Sequence, residues 1–353
     1  MFDRIKNLFV NDLGIDLGTM NTLVYVANVG IVIEEPSVVA INVDTNKVRA
    51  VGAEAKAMLG MTPGNIKAIR PMKDGVIANP VVTNEMLRIF IKKAAGRFKL
   101  MRPRVLIAVP SGINEVGIGA IRESAMGAGA RSVQLVEEPL AAAIGVGLPV
   151  NTPDASMIVD IGGGTTEAAI ISLGNIVTCS SVKAGGDSMD EAIIQYMKNK
   201  YHLLIGEQTA ERIKIQIGSA DTLDQQLTME VRGLEMGDNG NRLPRAVTVT
   251  SDDIQEALKP PVDTIISSIR KAIDSVSAQL ADPLFYNGIT MAGGGSLLRN
   301  LDKLISKNTG MPVVIGKDPL KAVANGTGLM LKHANEVFSQ PTSSLIGKGQ
   351  MVQ

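Results

Sequence analysis

The sequence predicts an α/β fold built from two similarly constructed domains, and two stretches of the chain predict it. In Met157-Ile-Val-Asp-Ile-Gly-Gly-Gly-Thr-Thr-Glu-Ala-Ala-Ile-Ile-Ser172 an apolar run ends on Asp160, three glycines and two hydroxyl residues follow, and a second apolar run begins. Short β-branched runs on either side of a Gly-rich break read as a β-hairpin. Leu13-Gly-Ile-Asp-Leu-Gly-Thr-Met-Asn-Thr-Leu-Val-Tyr-Val26 repeats the plan, with Asp16 as the acid and a Gly-Thr turn. Bare glycine backbone lets an anionic ligand approach its N–H groups. An acid just before such a turn can hold a divalent cation through its water shell. One such hairpin could be a tight turn whose glycines serve geometry alone. Two in one chain point to two domains built alike that grip one polyphosphate, with magnesium, from both sides.

The bounds agree with that picture. A length of 353 residues allows two or three domains and a sizeable core. With 35 basic and 35 acidic residues, no net charge draws the chain to nucleic acid. Aromatics are 3% and Trp is absent, which argues against base-stacking platforms. The single cysteine, Cys179, excludes an internal disulfide, fits a reducing compartment, and sits in a strand pattern as a core residue. His202 and His333 are the only histidines, which argues against a zinc site. No apolar run approaches the roughly 18 residues of a membrane span and no signal peptide is visible, so a cytoplasmic protein is expected.

From the N-terminus, Phe2, Ile5, Leu8 and Phe9 fall within one arc of roughly 120° at about 100° per residue, with Asp3, Arg4, Lys6 and Asn7 on the rest. That outline fits a short interfacial helix, or equally a terminal segment docked on the protein's own core. Strand-like runs from Gly30 to Ala53 surround the turn Asp44-Thr-Asn46. Ala53 to Leu59 reads as a helix and Arg70 to Gly75 as a return loop, together an insert on the first domain. Asn84 to Phe98 reads as an amphipathic helix with Met86, Leu87, Phe90, Ile91 and Ala94 on one side. It leads into Arg97-Phe-Lys-Leu-Met-Arg-Pro103, where Phe98, Leu100 and Met101 are interleaved with basic residues. Such a loop suits an anionic membrane surface, or caps the core as a helix-to-strand connection. Two candidate anchors in one chain favour the membrane.

Val105–Val109 reads as a buried strand, followed by Pro110-Ser-Gly112, a helix and the strand Ser132–Val136. Glu138 stands at the next strand-to-helix junction, with Pro139 in the first turn. That is the mouth of a parallel sheet, where ligands gather in α/β folds. An acid there could also serve only the helix dipole. After the second hairpin come a strand Ile176–Val182, the turn Gly185-Gly-Asp187 and a helix from about Met189 to Lys200. Glu211 and Lys214, three apart on the next helix, share a face, as a surface ion pair or as a ribose clamp. Leu227–Val231 and Ala246–Thr250 form a hairpin in a second insert, and Pro260-Pro261 opens a regular helix. Gly288 to Arg299 reads as a strand, a Gly-rich turn on which a flat ring could lie, and a helix whose N-terminus favours phosphate. Asp318 to Gly328 reads as a helix of small residues suited to crossing between domains. Residues from about Ala334 read as a loosely ordered tail.

On these segments the chain resembles the actin-fold ATPases, and closely the MreB-type bacterial actins. The matching pieces are Asp16-Leu-Gly-Thr-Met-Asn-Thr22, Glu35-Pro-Ser-Val-Val39, Ala68-Ile-Arg-Pro-Met72, Val109-Pro-Ser-Gly112 and Glu138-Pro-Leu-Ala-Ala-Ala-Ile-Gly145. They continue with Val159-Asp-Ile-Gly-Gly-Gly-Thr-Thr-Glu167, Gly185-Gly-Asp187, Thr209-Ala-Glu-Arg-Ile-Lys214 and Ala292-Gly-Gly-Gly-Ser296, and the resemblance as a whole covers residues 8 to 332. The resemblance implies an α/β, actin-like (ribonuclease H-like) pair of duplicated domains with two small inserted subdomains and an interdomain nucleotide cleft. Domain I would be 1–145, with an insert over 31–73 and the C-terminal segment 318–353 returning to it. Domain II would be 146–317, with an insert over 183–247.

By the same resemblance, Thr19, Met20 and Asn21 would bind the phosphates of ATP on one side and Gly162, Gly163, Gly164 and Thr165 on the other. Asp16 and Asp160 would orient the water shell of Mg2+. Glu138 would position or activate the attacking water, with Thr165 aligning it. Glu211 and Lys214 would hold ribose, and Gly293, Gly294, Gly295 and Ser296 would border adenine. The activity implied is slow ATP hydrolysis tied to polymerisation into double filaments on the inner face of the cytoplasmic membrane. Partners would be other copies of the chain and cell-shape or wall-synthesis membrane proteins, with no nucleic acid. The alternative is a monomeric actin-fold phosphotransferase or chaperone-like ATPase. Two positions depart from the family pattern. Met20 stands where Ala is common. Asn114-Glu-Val-Gly-Ile-Gly-Ala120 replaces a charged stretch with two glycines, each costing a helix roughly 1 kcal/mol relative to Ala.

Overall fold

The computed structural model describes residues 12–339 except 46, 60–63, 74, 96–101 and 237–241, together with 350–351. The residues expected at a membrane, Phe2, Ile5, Leu8, Phe9, Phe98, Leu100 and Met101, lie outside the described residues. Among the described residues no helix is long and apolar enough to cross a membrane.

Each hairpin forms the middle of a sheet, and the two sheets share one topology. The first runs Ser132–Glu137, Arg104–Val109, Leu13–Leu17, Asn21–Val26, Gly30–Pro36. The second runs Val313–Ile315, Ile289–Ala292, Ser156–Ile161, Thr166–Ser172, Asn175–Val182, with Gln350–Met351 at its far edge. In each, the strand bearing the acid is antiparallel to its hairpin partner and parallel to its other neighbour. The register repeats as well: Asp16 stands beside Ala108, and Asp160 beside Ala292. Both acids therefore lie near the C-terminal end of a central strand, beside a residue too small to cover them. Ligands bind at that edge of parallel sheets.

Central strands buried on both faces read as continuous apolar runs. Leu13, Ile15, Val105 and Ile107 pack against Met86, Leu87 and Phe90 of helix Pro80–Ala95 and Ile121 of helix Glu115–Gly127. Leu106 and Ala108, one residue out of phase, join Ile158 and Ala169 of the second sheet in a shared core. Helices Glu138–Val146 and Ala322–Met330 fill that core. A Cβ on Gly145 would lie 1.8 Å from the Ala322 carbonyl oxygen, and one on Gly326 1.8 Å from that of Ala141, so these helices meet backbone to backbone. Cys179 is buried in the same core, and burial pushes its thiol pKa up. Met157 and Val159 turn to a third core with helices Gly186–Tyr201 and Ser251–Asp274.

Two small sheets interrupt this plan. The first is ordered Val48–Val51, Val39–Asn42, Ile66–Ile69 and carries the short helix Ala53–Ala57. The second is ordered Leu203–Leu204, Thr228–Met236, Arg242–Thr250 and carries helix Glu207–Ile217.

Several elements differ from expectation, each for a local reason. The return loop at Arg70–Gly75 contains a short hairpin, Met72–Lys73 with Val76–Ile77. The helix expected from Asn84 starts at Pro80, where Asn79 Oδ1 accepts the Val82 N–H at 3.1 Å. The helix expected from Met189 starts at Gly186. The helix expected to open at Pro260 starts at Ser251 and runs through both prolines, because Thr250 and Asp253 form a capping box. Helix Glu115–Gly127 forms despite Gly117 and Gly119. Asn114 Oδ1 accepts the Gly117 N–H at 2.8 Å, and such a cap contributes about 1 kcal/mol, offsetting one of the glycines. After Ala292 comes a 3-10 turn, Gly294–Leu297, and the α-helix begins only at Leu301. The expected loose tail opens instead with helix Ala334–Ser339, with Ala334 and Val337 buried. Arg104 holds it, bonding Asn335 at 3.1 Å and lying 4.8 Å from the Phe338 ring centre.

Candidate functional site

The two hairpin loops face one cleft of about 390 Å³, within the size range of small-molecule sites. It brings together Asp16, Thr19, Met20, Asn21, Glu138, Asp160, Gly162, Gly163, Gly164, Thr165, Glu211, Lys214, Gly293, Gly294 and Gly295. Ser296 does not face it: the residue is fully buried and its hydroxyl donates to the Gly293 carbonyl at 2.7 Å. Sequence reasoning missed Gly75, Ile215, Leu297, Leu298, Leu320 and Val323, which also line the wall. The pair Leu297-Leu298 directly after the glycine run was a usable signal for an apolar ring site.

Each loop is fixed from behind. Ser37 holds the first: its Oγ donates to the Gly18 carbonyl at 2.6 Å and its N–H to that of Met20 at 2.8 Å. Thr19 Oγ1 accepts the Gly75 N–H at 3.2 Å. The second loop closes on itself, Gly162 N–H to Thr165 O at 2.9 Å. The first N–H groups of helix Gly186–Tyr201 then donate to the carbonyls of Gly162 (3.0 Å) and Gly163 (2.8 Å). That helix end is thus spent on the loop's carbonyls. A Cβ on Gly185 would lie 2.6 Å from both carbonyl oxygens, so glycine is needed there for the approach.

Glu211 and Lys214 share the cleft but do not pair with each other. Lys214 Nζ bonds Asp190 Oδ1 at 2.8 Å and the Gly186 carbonyl at 2.9 Å. Glu211 reaches across to Lys56 of the other small sheet's helix, at 3.0 Å. Gln208 Nε2 donates to the Lys56 carbonyl at 3.3 Å, and Arg70 meets Glu207 at 3.4 Å. The two inserts are therefore tied together over the cleft.

The acids set the electrostatics. Asp16 and Asp160 are both pushed up to about 7 by burial, Asp16 further by Asp160. Glu138 is raised well above the usual carboxylate range by burial, then by Glu167, Asp16 and Asp160. Glu167 is raised to about 8 by burial and then by Asp160, although its Oε1 accepts the Ser111 N–H at 2.9 Å. A side-chain hydrogen bond with Ser181 eases it only in part. Here the duplicated sheets part: the residue opposite Asp16 is Leu23, and the one opposite Asp160 is Glu167. An acid in an otherwise apolar strand was a legible sign that sequence reasoning passed over.

Carboxylates crowded into a confined space are eased by a cation. Asp16 and Asp160 offer only oxygen donors, the kind magnesium takes. Among the described residues no group of three or more His, Cys, Asp and Glu side chains is placed to enclose a metal. Two carboxylates that leave the remaining positions to water and phosphate fit the way magnesium is usually held.

Comparison with known proteins bears on the family and the fold. A family model described as MreB/Mbl protein matches residues 10–339. The cell shape-determining protein MreB of Escherichia coli (strain K12) is 52% identical over 349 residues, covering 96% of this chain and 100% of that protein. The cell shape-determining protein Mbl of Bacillus subtilis (strain 168) is 44% identical over 330 residues, covering 94% and 98%. The crystal structure of MreB5 of Spiroplasma citri bound to AMPPNP superposes with a TM-score of 0.88 at 34% identity, covering 93% of this chain and 98% of that one. The MamK double helical filament matches with a TM-score of 0.75 at 22% identity over 92% and 99%, which speaks for the fold alone.

Proposed function

The chain belongs to the MreB/Mbl family and has an actin-like fold. On that premise we propose that it is a membrane-associated cytoskeletal ATPase that polymerises into double filaments and organises cell shape. The observation that carries the reading is the pair of like-built phosphate hairpins facing one cleft, with Glu138 at its wall beside three further acids. The relatives' names and ligands support the cell-shape role and the nucleotide: cell-shape determination, bound AMPPNP and bound ADP.

In this reading, backbone N–H groups of Thr19 to Asn21 and Gly163 to Thr165 cradle the phosphates of ATP. Glu211 and Lys214 hold ribose, and Gly293 to Gly295 with Leu297 and Leu298 border adenine. Asp16 and Asp160 would hold Mg2+, which would supply neutralisation of phosphate charge there. Water attacks the γ-phosphorus in line, and the bond to the β-phosphate oxygen breaks. Thr165 aligns the water and Glu138 takes its proton. A carboxyl raised above its usual range is a better base near neutral pH. Hydrolysis is slow and tied to assembly. Weak membrane contacts through Phe2, Ile5, Leu8, Phe9, Phe98, Leu100 and Met101 add up along a filament by avidity.

Phosphate release and sedimentation, with and without lipid vesicles, test this. Wild type should release phosphate and pellet with vesicles in ATP. A chain that neither pellets nor binds vesicles in any nucleotide would sink the filament reading and favour a monomeric actin-fold enzyme.

A further inference from the structure

We infer that Met20 sets this site's preference between triphosphate and diphosphate. Its side chain fills the gap between the two phosphate loops, and a phosphate that bridges both loops must displace it. The inference rests on the nucleotide reading above and adds to it a residue that chooses between ligands.

The observation is a contact between loops from the two sheets. A Cβ placed on Gly163 would lie 2.1 Å from Met20 Cγ, 2.9 Å from Met20 Cβ and 3.4 Å from Met20 N. The stem of Met20 therefore rests on the Gly163 backbone, in the cleft that both residues line. Gly163 is not among the residues with positive φ. Its backbone would admit a side chain; the space would not, because Met20 occupies it.

Both sides of the contact are pinned. The Met20 carbonyl accepts the Ser37 N–H at 2.8 Å, and the Gly163 carbonyl accepts the Asp187 N–H at 2.8 Å. The movable part is the Met20 side chain, which is unbranched and adapts readily. A polyphosphate gripped from both sides has to occupy the gap where that stem lies. Its apparent affinity is then reduced by the fraction of molecules in which Met20 has swung aside. A shorter polyphosphate that reaches only one loop escapes this factor. Met20 thus weakens binding of the longer chain selectively.

The test compares Kd values for magnesium AMPPNP and magnesium ADP in the full-length protein, Met20→Ala and Met20→Ile, with melting temperatures for each. Met20→Ala should tighten AMPPNP about threefold to tenfold while ADP moves less than about twofold. Met20→Ile, stiff at χ1, should weaken AMPPNP more than ADP. A purely structural role predicts otherwise: a lower melting temperature for Met20→Ala and equal weakening of both ligands. An AMPPNP-to-ADP ratio that stays fixed in both variants overturns the inference. A second readout needs no nucleotide. Gly163→Ala should lower the melting temperature more in wild type than in the Met20→Ala background, and equal losses overturn the contact itself. Should wild type bind neither nucleotide, the nucleotide reading fails and takes the inference with it. Binding with an unmoved ratio sinks the inference alone.

Discussion

Asp253 and Glu138 are both acids in the first turn of a helix, and their surroundings drive them in opposite directions. Burial alone would raise Asp253, but four donations to its carboxylate outweigh it. They come from Lys200 Nζ (2.7 Å), Tyr201 OH (2.7 Å), the Thr250 N–H (2.9 Å) and Thr250 Oγ1 (2.8 Å). Its pKa is held well below the usual carboxylate range. Glu138 is buried too, and the charges facing it are Glu167, Asp16 and Asp160, so its pKa goes up. A carboxyl in the first turn of a helix is a completed joint in one case. In the other it is a charge left for a ligand to answer. Buried acids with perturbed pKa values mark function only when their partners are missing.

The largest effect expected is on chemistry. Glu138→Gln keeps the shape and removes the proton acceptor, so phosphate release should fall by about a hundredfold or more, with nucleotide still bound and the fold no less stable. A variant that unfolds instead would break the contrast, because Glu138 would then be holding structure as Asp253 does. Next in size is Asp253→Ala. Losing a cap and charge-assisted hydrogen bonds should cost about 2–3 kcal/mol in urea denaturation, while hydrolysis per folded molecule stays unchanged.

The pH dependence should separate the two groups by sign. Asp253 has a folded pKa below its ordinary 3.8, so its contribution is present above that value and lost as pH falls. Asp16, Asp160 and Glu167 have folded values of about 7, 7 and 8, above their ordinary 3.8, 3.8 and 4.5. Between those limits the folded protein holds more protons than the unfolded chain, so the nucleotide-free protein loses stability as pH rises from 5 to 8, by roughly a few degrees in melting temperature. Melts that rise over that range would show that the cleft acids are paired after all. The smallest effect belongs to Glu211, an acid paired across the cleft with both side chains 30% exposed. Lys56→Ala should speed release of a fluorescent ADP about twofold to fivefold, and an unchanged rate would show that the tie does not restrain the nucleotide.

The legible parts of the molecule were those whose cause is local. The glycine-broken β-branched runs around Asp16 and Asp160 announce hairpins, and Glu138-Pro139 announces a helix start, without reference to anything distant. What misled was also local. Pro260-Pro261 looks like a beginning, yet the Thr250–Asp253 box ten residues earlier starts the helix. Illegible features depended on partners far along the chain. Ala334–Ser339 is ordered because Arg104 reaches it. Glu211 faces Lys56 across 155 positions, a pairing that no helical spacing could suggest. Ser296 reads like its glycine neighbours and is buried only because the chain turns as a 3-10 helix there.

The backbone contact between helices Glu138–Val146 and Ala322–Met330 has a mechanical consequence. With glycine set against carbonyl on both sides, a side chain at either place would have to wedge the helices apart. The joint therefore sets a fixed gauge between the layers that share its core, as a shim does in a bearing. Glu138 lies in the first turn of one of the two helices, so Gly145→Ala should shift its carboxylate as well as loosen the core, and a lower melting temperature with phosphate release per folded molecule unchanged would show that the gauge serves stability alone.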